Sequence, residues 1–172
     1  MQLERFTLKA QEALAASQRL AQERRHALIE PEHVAVALLD QEGGLTVPIL
    51  ERIGADHGAM RAELEKRLNY FSTVHGATQI TLSRETQEAL QAAQDEADKM
   101  KDMYVSTEHL LMGLAANKGW LGELFKRHGI TRDALLRVLK DIRGSQRAAD
   151  PNAEEKYQAL ERFGRDLTEL AR

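Results

Sequence analysis

The chain has 172 residues, 42% apolar and 30% charged, which suits one hydrophobic core plus an appendage. A net charge of −3, with Lys and Arg scattered among Asp and Glu, leaves no basic footprint for nucleic acid, and the absence of cysteine excludes thiolate catalysis and fits a reducing compartment. The longest apolar run, residues 34–39, is far short of the ~20 residues that span a bilayer, and the opening MQLERFTLK has no signal-peptide core, so a cytoplasmic location without a membrane partner is expected.

The first long helix is written by Phe6, Ala10, Ala13, Leu14, Ser17, Leu20 and Ala21, which recur on one helical face. Pro31, after Glu30, opens a second helix, because its missing amide costs nothing in a first turn. Gly43 is expected to end that helix in left-handed geometry. A short helix at 47–53 closes at Gly54, and Asp56 caps a fourth that turns Met60, Leu64 and Leu68 inward. Residues 69–79 are a connection. The series then restarts: Leu82, Thr86, Ala89, Leu90, Ala93, Ala97 and Met100 repeat the first face. Ser106 caps the next helix, Gly119 ends it, a short helix follows at 121–127 up to Gly129, and Thr131 caps a last one facing inward with Leu135, Val138, Leu139 and Ile142.

The restart is a duplication. Shifting the chain by 76 lays Gln11, Glu12, Ala13 and Leu14 on Gln87, Glu88, Ala89 and Leu90, and Glu32 and His33 on Glu108 and His109. At a shift of 75, Arg52 and Gly54 meet Arg127 and Gly129, and Leu64 meets Leu139. Helical composition alone would not keep glycines in one near-constant register. The expected fold is therefore all-α, two pseudo-symmetric four-helix repeats at 4–70 and 80–144 in one domain spanning 1–144, with no convincing strand.

Beyond Gly144, SQRAADPN at 145–152 reads as a flexible, exposed linker and the expected first site of proteolysis. A short helical segment follows in 153–172, with Tyr157, Leu160 and Phe163 in period, a break at Gly164, and an Asp-x-x-Glu cap at 166–169. Leu167 and Leu170 have nothing local to pack against, so the chain is expected to lead into something longer.

The duplicated unit, with Phe6-Thr7 near its start, IEPEHVAVALL and VSTEHLLMGLA, resembles the N-terminal domain of the Clp family of AAA+ unfoldases, and YQALERFGRDLTELA is similar to the lead into the first ATPase module of its ClpB-type disaggregases. The resemblance implies a substrate-binding module that grips exposed apolar segments of unfolded or aggregated polypeptide before ATP-driven threading in cooperation with the Hsp70 system. ATP, magnesium and hexamer formation are implied for the ATPase modules of such proteins. This chain contains no G-x-x-x-x-G-K-[ST] loop, so no nucleotide chemistry is expected of it, and it is expected to be monomeric.

The resemblance also implies that Thr7, Asp102 and Glu108 lie at the substrate-contacting surface, beside an apolar groove between the repeats that Leu90 and Leu110 help to line. The residues have plainer readings too: Thr7 as a helix cap, Leu90 and Leu110 as core, Asp102 in a solvated turn, Trp120 as packing. The Glu-His pairs do not read as a metal site, since they lie on separate helices without His-x-x-x-His spacing. Structurally, Glu32 and Glu108 favour the helix dipole and His33 and His109 pack between repeats. Functionally, Glu32 and Glu108 could accept a cationic ligand, and ClpC- or ClpA-type relatives imply the alternative of an adaptor- or phosphoarginine-docking domain.

Overall fold

The computed structural model describes residues 3–76 and 79–159; the expected break at Gly164 and helix start at 166–169 lie outside them. After a short 3-10 turn (Leu3–Arg5), the chain forms α1 (Leu8–Glu23), β1 (Leu28–Ile29), α2 (Pro31–Asp40), α3 (Thr46–Ile53), α4 (His57–Leu68), β2 (Thr81–Leu82), α5 (Arg84–Lys99), α6 (Thr107–Ala115), α7 (Trp120–Arg127) and α8 (Arg132–Arg143). Paired by the duplication, the helices are 16 and 16, 10 and 9, 8 and 8, and 12 and 12 residues long, so the repeat in sequence is a repeat in architecture. Thr7, Ser83, Asp56 and Thr131 each accept the amide three residues ahead and so start α1, α5, α4 and α8.

Three expectations change. Gly43 lies beyond the end of α2 in a left-handed turn, and Gly119 is no terminator: α6 ends at Ala115 with Ala116 as its C-cap, and Gly119, at φ −103°, caps the start of α7. Short strands do exist. After each long helix the chain reverses through a left-handed residue, Arg25 at φ 58° and Lys101 at φ 60°, and runs extended into the next helix. Extended backbone leaves donors and acceptors that must be paired, and each repeat pairs them with the other. Val105 O accepts the Thr7 amide and Ile29 O accepts the Ser83 amide, both at 3.0 Å. The strands are only two residues long, too short to register as alternation in the sequence, yet they lock the entrance of each repeat's first helix to its partner.

The third change is the segment after α8. Its composition suggests an exposed linker, but Ala148, Ala153 and Tyr157 are buried, and residues 153–159 are helical. Ala148 O accepts the amides of Met103 (3.0 Å) and Tyr104 (2.9 Å), and Pro151 O accepts that of Leu8 (2.9 Å). Small residues made this stretch look uncommitted; their size is what lets its backbone approach the domain closely.

One apolar core runs through both repeats, with Leu38, Ile49, Leu50, Leu64 and Leu68 continuous with Leu111, Leu124, Phe125, Leu135 and Leu139. The α5–α6 crossing is tight because Gly113 presents no side chain: a Cβ there would run into the Ala89 carbonyl and lie 3.1 Å from the Ala93 nitrogen.

Candidate functional site

The two Glu-His helices share one device. The His33 Nδ1 accepts the Glu30 amide at 2.8 Å and the His109 Nδ1 accepts the Ser106 amide at 2.9 Å, so each imidazole closes a capping box at the third residue of its helix. An accepting Nδ1 leaves the hydrogen on Nε2. His109 gives it to Asp102 Oδ2 at 2.7 Å; His33 gives it to His26 Nδ1 at 2.8 Å. Asp102 and His26 occupy the same place in the two repeats, 76 residues apart.

That one difference divides the repeats electrostatically. In the first, two neutral imidazoles form a chain that ends on the Leu68 backbone, and burial holds both below their usual range, His33 at about 4. Phe71 packs against both rings. In the second, the buried Asp102 carboxylate requires a cation, and Arg143 supplies one, 2.6 Å from Oδ1 and 3.0 Å from Oδ2. Burial would raise the Asp102 pKa, but the His109 and Arg143 hydrogen bonds overcome it and hold the carboxyl far below its ordinary value.

The neutral histidine chain carries a pH signature. A histidine whose folded pKa lies below its unfolded value of 6.5 stabilises the fold fully above pH 6.5 and loses that contribution as pH falls toward the folded value. With His33 at about 4, the loss between pH 7 and pH 4 amounts to about 3 kcal/mol. Burial raises Glu30 and Glu32 above their ordinary 4.5, so they act in the opposite sense within the same range of pH. The comparison is therefore with His33→Gln, which keeps an acceptor for the Glu30 amide and cannot titrate. Urea unfolding across pH 7 to 4 is expected to fall more steeply for the parent chain than for the variant; parallel profiles would refute the neutral assignment.

Glu32 and Glu108 are both buried and both face an arginine of their own repeat. Arg67 Nε donates to Glu32 at 3.1 Å, with its guanidinium 5.2 to 5.5 Å from the ring centroids of Tyr70, Phe71 and Trp120. Arg143 approaches Glu108 to 3.4 Å, an ion-pair distance outside hydrogen-bond geometry, and covers the Tyr157 ring at 5.1 Å. Glu154 completes this second cluster: its Oε2 accepts Thr7 Oγ1 at 2.7 Å and the Thr107 amide at 2.9 Å.

An open groove of about 610 Å³ runs along the seam between the repeats. Leu14 of α1, Ile29 of β1, Ile80 and Leu82 around β2, and Leu90 of α5 make it apolar, with Leu3 at one edge. Gln11, Gln18 and Gln87 contribute amides along its sides. The two-stranded pairing of β1 with β2 lies in its wall, so the contact that joins the repeats also builds the groove.

The expected surface residues are distributed unevenly. Leu90 lines the groove while nearly buried; Leu110 is core and does not. Thr7 is wholly buried, and Asp102 is not in a solvated turn but in the Arg143–His109 network. Thr7 and Glu108 lie together under Glu154 and Tyr157. Arg67, Arg143 and Glu154 were not anticipated from sequence. Arg143 alone left a signal, a charge at the position where the first repeat, shifted by 75, has the core residue Leu68. Among the described residues no three His, Asp or Glu side chains are placed to hold a metal ion.

The model of the Clp repeat (R) N-terminal domain matches residues 5–128. The chaperone protein ClpB of Rhodopirellula baltica is 41% identical over 98% of this chain, which covers 19% of that protein. The ClpB of Vibrio cholerae is 40% identical over 99% of the chain and 20% of its own length. The chain thus spans about a fifth of the curated relatives it matches. Among solved structures, the N-terminal domain of Hsp104 from Candida albicans superposes with a TM-score of 0.77 at 21% identity, covering 87% of this chain and 98% of that one, a likeness of fold.

Proposed function

The chain belongs to the Clp repeat N-terminal domain family of chaperones, and from that premise we propose that it captures unfolded polypeptide in the groove between its repeats, ahead of ATP-driven threading by a longer ClpB-type protein. The observation that carries this reading is the groove itself: an open apolar trough with leucine and isoleucine side chains from both repeats and glutamine amides along its edges. An extended chain lays alternate side chains into such a trough, and its peptide N–H groups meet the glutamine side-chain oxygens, since the Gln11 and Gln87 Nε2 groups already donate to the Leu3, Phe6 and Leu82 carbonyls. Nothing in that arrangement selects one sequence, which suits a module that meets many unfolded chains at about micromolar strength, near −8 kcal/mol.

On this reading the ATPase activity, the hexamer and the cooperation with Hsp70 belong to the longer protein. The docking alternative, in which Glu32 and Glu108 receive a phosphorylated arginine, meets an obstacle: each carboxylate already faces an internal arginine that a ligand would have to displace.

Leu82→Ser tests the groove, since Leu82 is half-buried in its wall and is not a cap, a glycine or an ion-pair partner. Removing that apolar contact should weaken binding of a reduced and alkylated unfolded protein about tenfold, with circular dichroism unchanged. Undiminished affinity in a folded variant would refute the assignment.

A further inference from the structure

The groove is built around an exchange of the two repeats. Phe6 bridges to Val105 and Ile29 pairs with Leu82; the Thr7 amide donates to Val105 O and the Ser83 amide to Ile29 O, both at 3.0 Å. Within each of these two sets, one contact becomes the other when residues 76 apart are exchanged, which is the mark of a twofold relation between the repeats. The same operation acts inside the groove. Gln11 and Gln87 both line it, as do Leu14 and Leu90, and the members of each pair are 76 residues apart. The glutamines are held alike: Gln11 Nε2 donates to Phe6 O at 2.9 Å and Gln87 Nε2 to Leu82 O at 3.2 Å, carbonyls that are again 76 residues apart. An operation that carries lining residues onto lining residues keeps the open face open, so the pseudo-twofold axis points out of the groove. Rotation about such an axis reverses every direction along the groove floor.

We propose that the groove holds an extended segment in both chain directions, its amino end toward either end of the seam; the inference rests on the capture proposed for the groove. An extended chain turned end for end still alternates its side chains between two faces and its N–H and C=O groups along each edge. In one direction it meets Leu14 and then Leu90, in the other Leu90 and then Leu14, and its N–H groups find a glutamine oxygen either way. A groove with unlike walls would separate the two senses; equivalent walls at its centre do not. The flanks are less symmetric, since Leu3, Gln18 and Ile29 line the groove while their counterparts Gln79, Gln94 and Val105 do not, so the two directions differ in strength while both are populated. Each encounter then has two productive orientations in place of one, which eases the orientational restriction that slows docking. The module grips an exposed segment without regard to which end of the unfolded chain leads.

Paramagnetic broadening reads the direction of a bound peptide. A peptide of about eight residues with alternating leucines, ~27 Å long when extended, carries a nitroxide at its amino end in one sample and at its carboxyl end in another. Broadening of the backbone amides is followed in the whole folded chain. Gln18 on α1 and its equivalent Gln94 on α5 lie on opposite sides of the axis. The expected result is that both labels broaden the same seam amides, Gln18 and Gln94 included, with the two samples agreeing within about threefold. Labels that divide the seam, one broadening the side of Gln18 and the other that of Gln94, would show a single direction and overturn the inference while leaving capture in the groove standing. Broadening absent from the seam with both labels would remove the groove reading as well.

Discussion

Asp102→Ala is expected to lower the stability of the chain by about 3 to 5 kcal/mol, because it removes one partner of a buried ion pair and leaves the other uncompensated. Arg143, 4% exposed, would keep its charge with only the more distant Glu108 beside it, and His109 and the Ala148 amide would each lose an acceptor. Urea unfolding of parent and variant measures the difference, and a loss under about 1 kcal/mol would mean that the network is not the keystone it looks. The result also bears on interpretation of any binding defect. A domain weakened at Asp102 would lose substrate affinity by unfolding, so an alanine there cannot by itself mark a contact residue. Since the folded Asp102 pKa is depressed below its usual 3.8, its contribution is fully present above pH 3.8 and is lost only as pH falls further, below the window in which the His33 chain acts.

Gly113→Ala is expected to cost about 3 kcal/mol, since the added methyl meets backbone, which cannot rotate aside. The target is the Ala89 carbonyl of α5, and relief requires α5 and α6 to separate. The first repeat supplies the control. Its counterpart 76 residues earlier is Ala37, whose crossing of α1 and α2 already accommodates a methyl. Ala37→Gly should cost only about 1 kcal/mol, mainly backbone entropy in a helix. Equal effects of the two substitutions in thermal or urea unfolding would contradict the difference in helix approach.

The sequence made the duplication legible because paired caps, glycines and apolar faces keep register over local distances. Thr7, Ser106, Asp56 and Thr131 do their expected work at helix starts. The seam was only partly legible. Two-residue strands are too short to show period, and Gly119 looks the same as a helix terminator and as a helix cap. The burial of the tail is not legible in its sequence for a physical reason: alanines at 148 and 153 carry no hydrophobic pattern, and their burial depends on close backbone approach rather than side-chain area. Glu154, followed by Glu155, looks like any solvated pair of acids. Asp102 and Arg143 were the recoverable case, because they replace His26 and Leu68 at matched positions, and a charge of each sign entering one repeat at once is the mark of a buried pair.

Chemical-shift mapping of the folded chain with a reduced and alkylated unfolded protein tests the central claim most directly. Perturbations should concentrate along the seam, at Leu14, Gln18, Leu82, Gln87 and Leu90, and persist at high salt because the groove is apolar. Perturbations confined to Glu32, Arg67 and Trp120, abolished by salt and reproduced only by an arginine-phosphorylated peptide, would contradict it and make the domain a docking site for a charged tag.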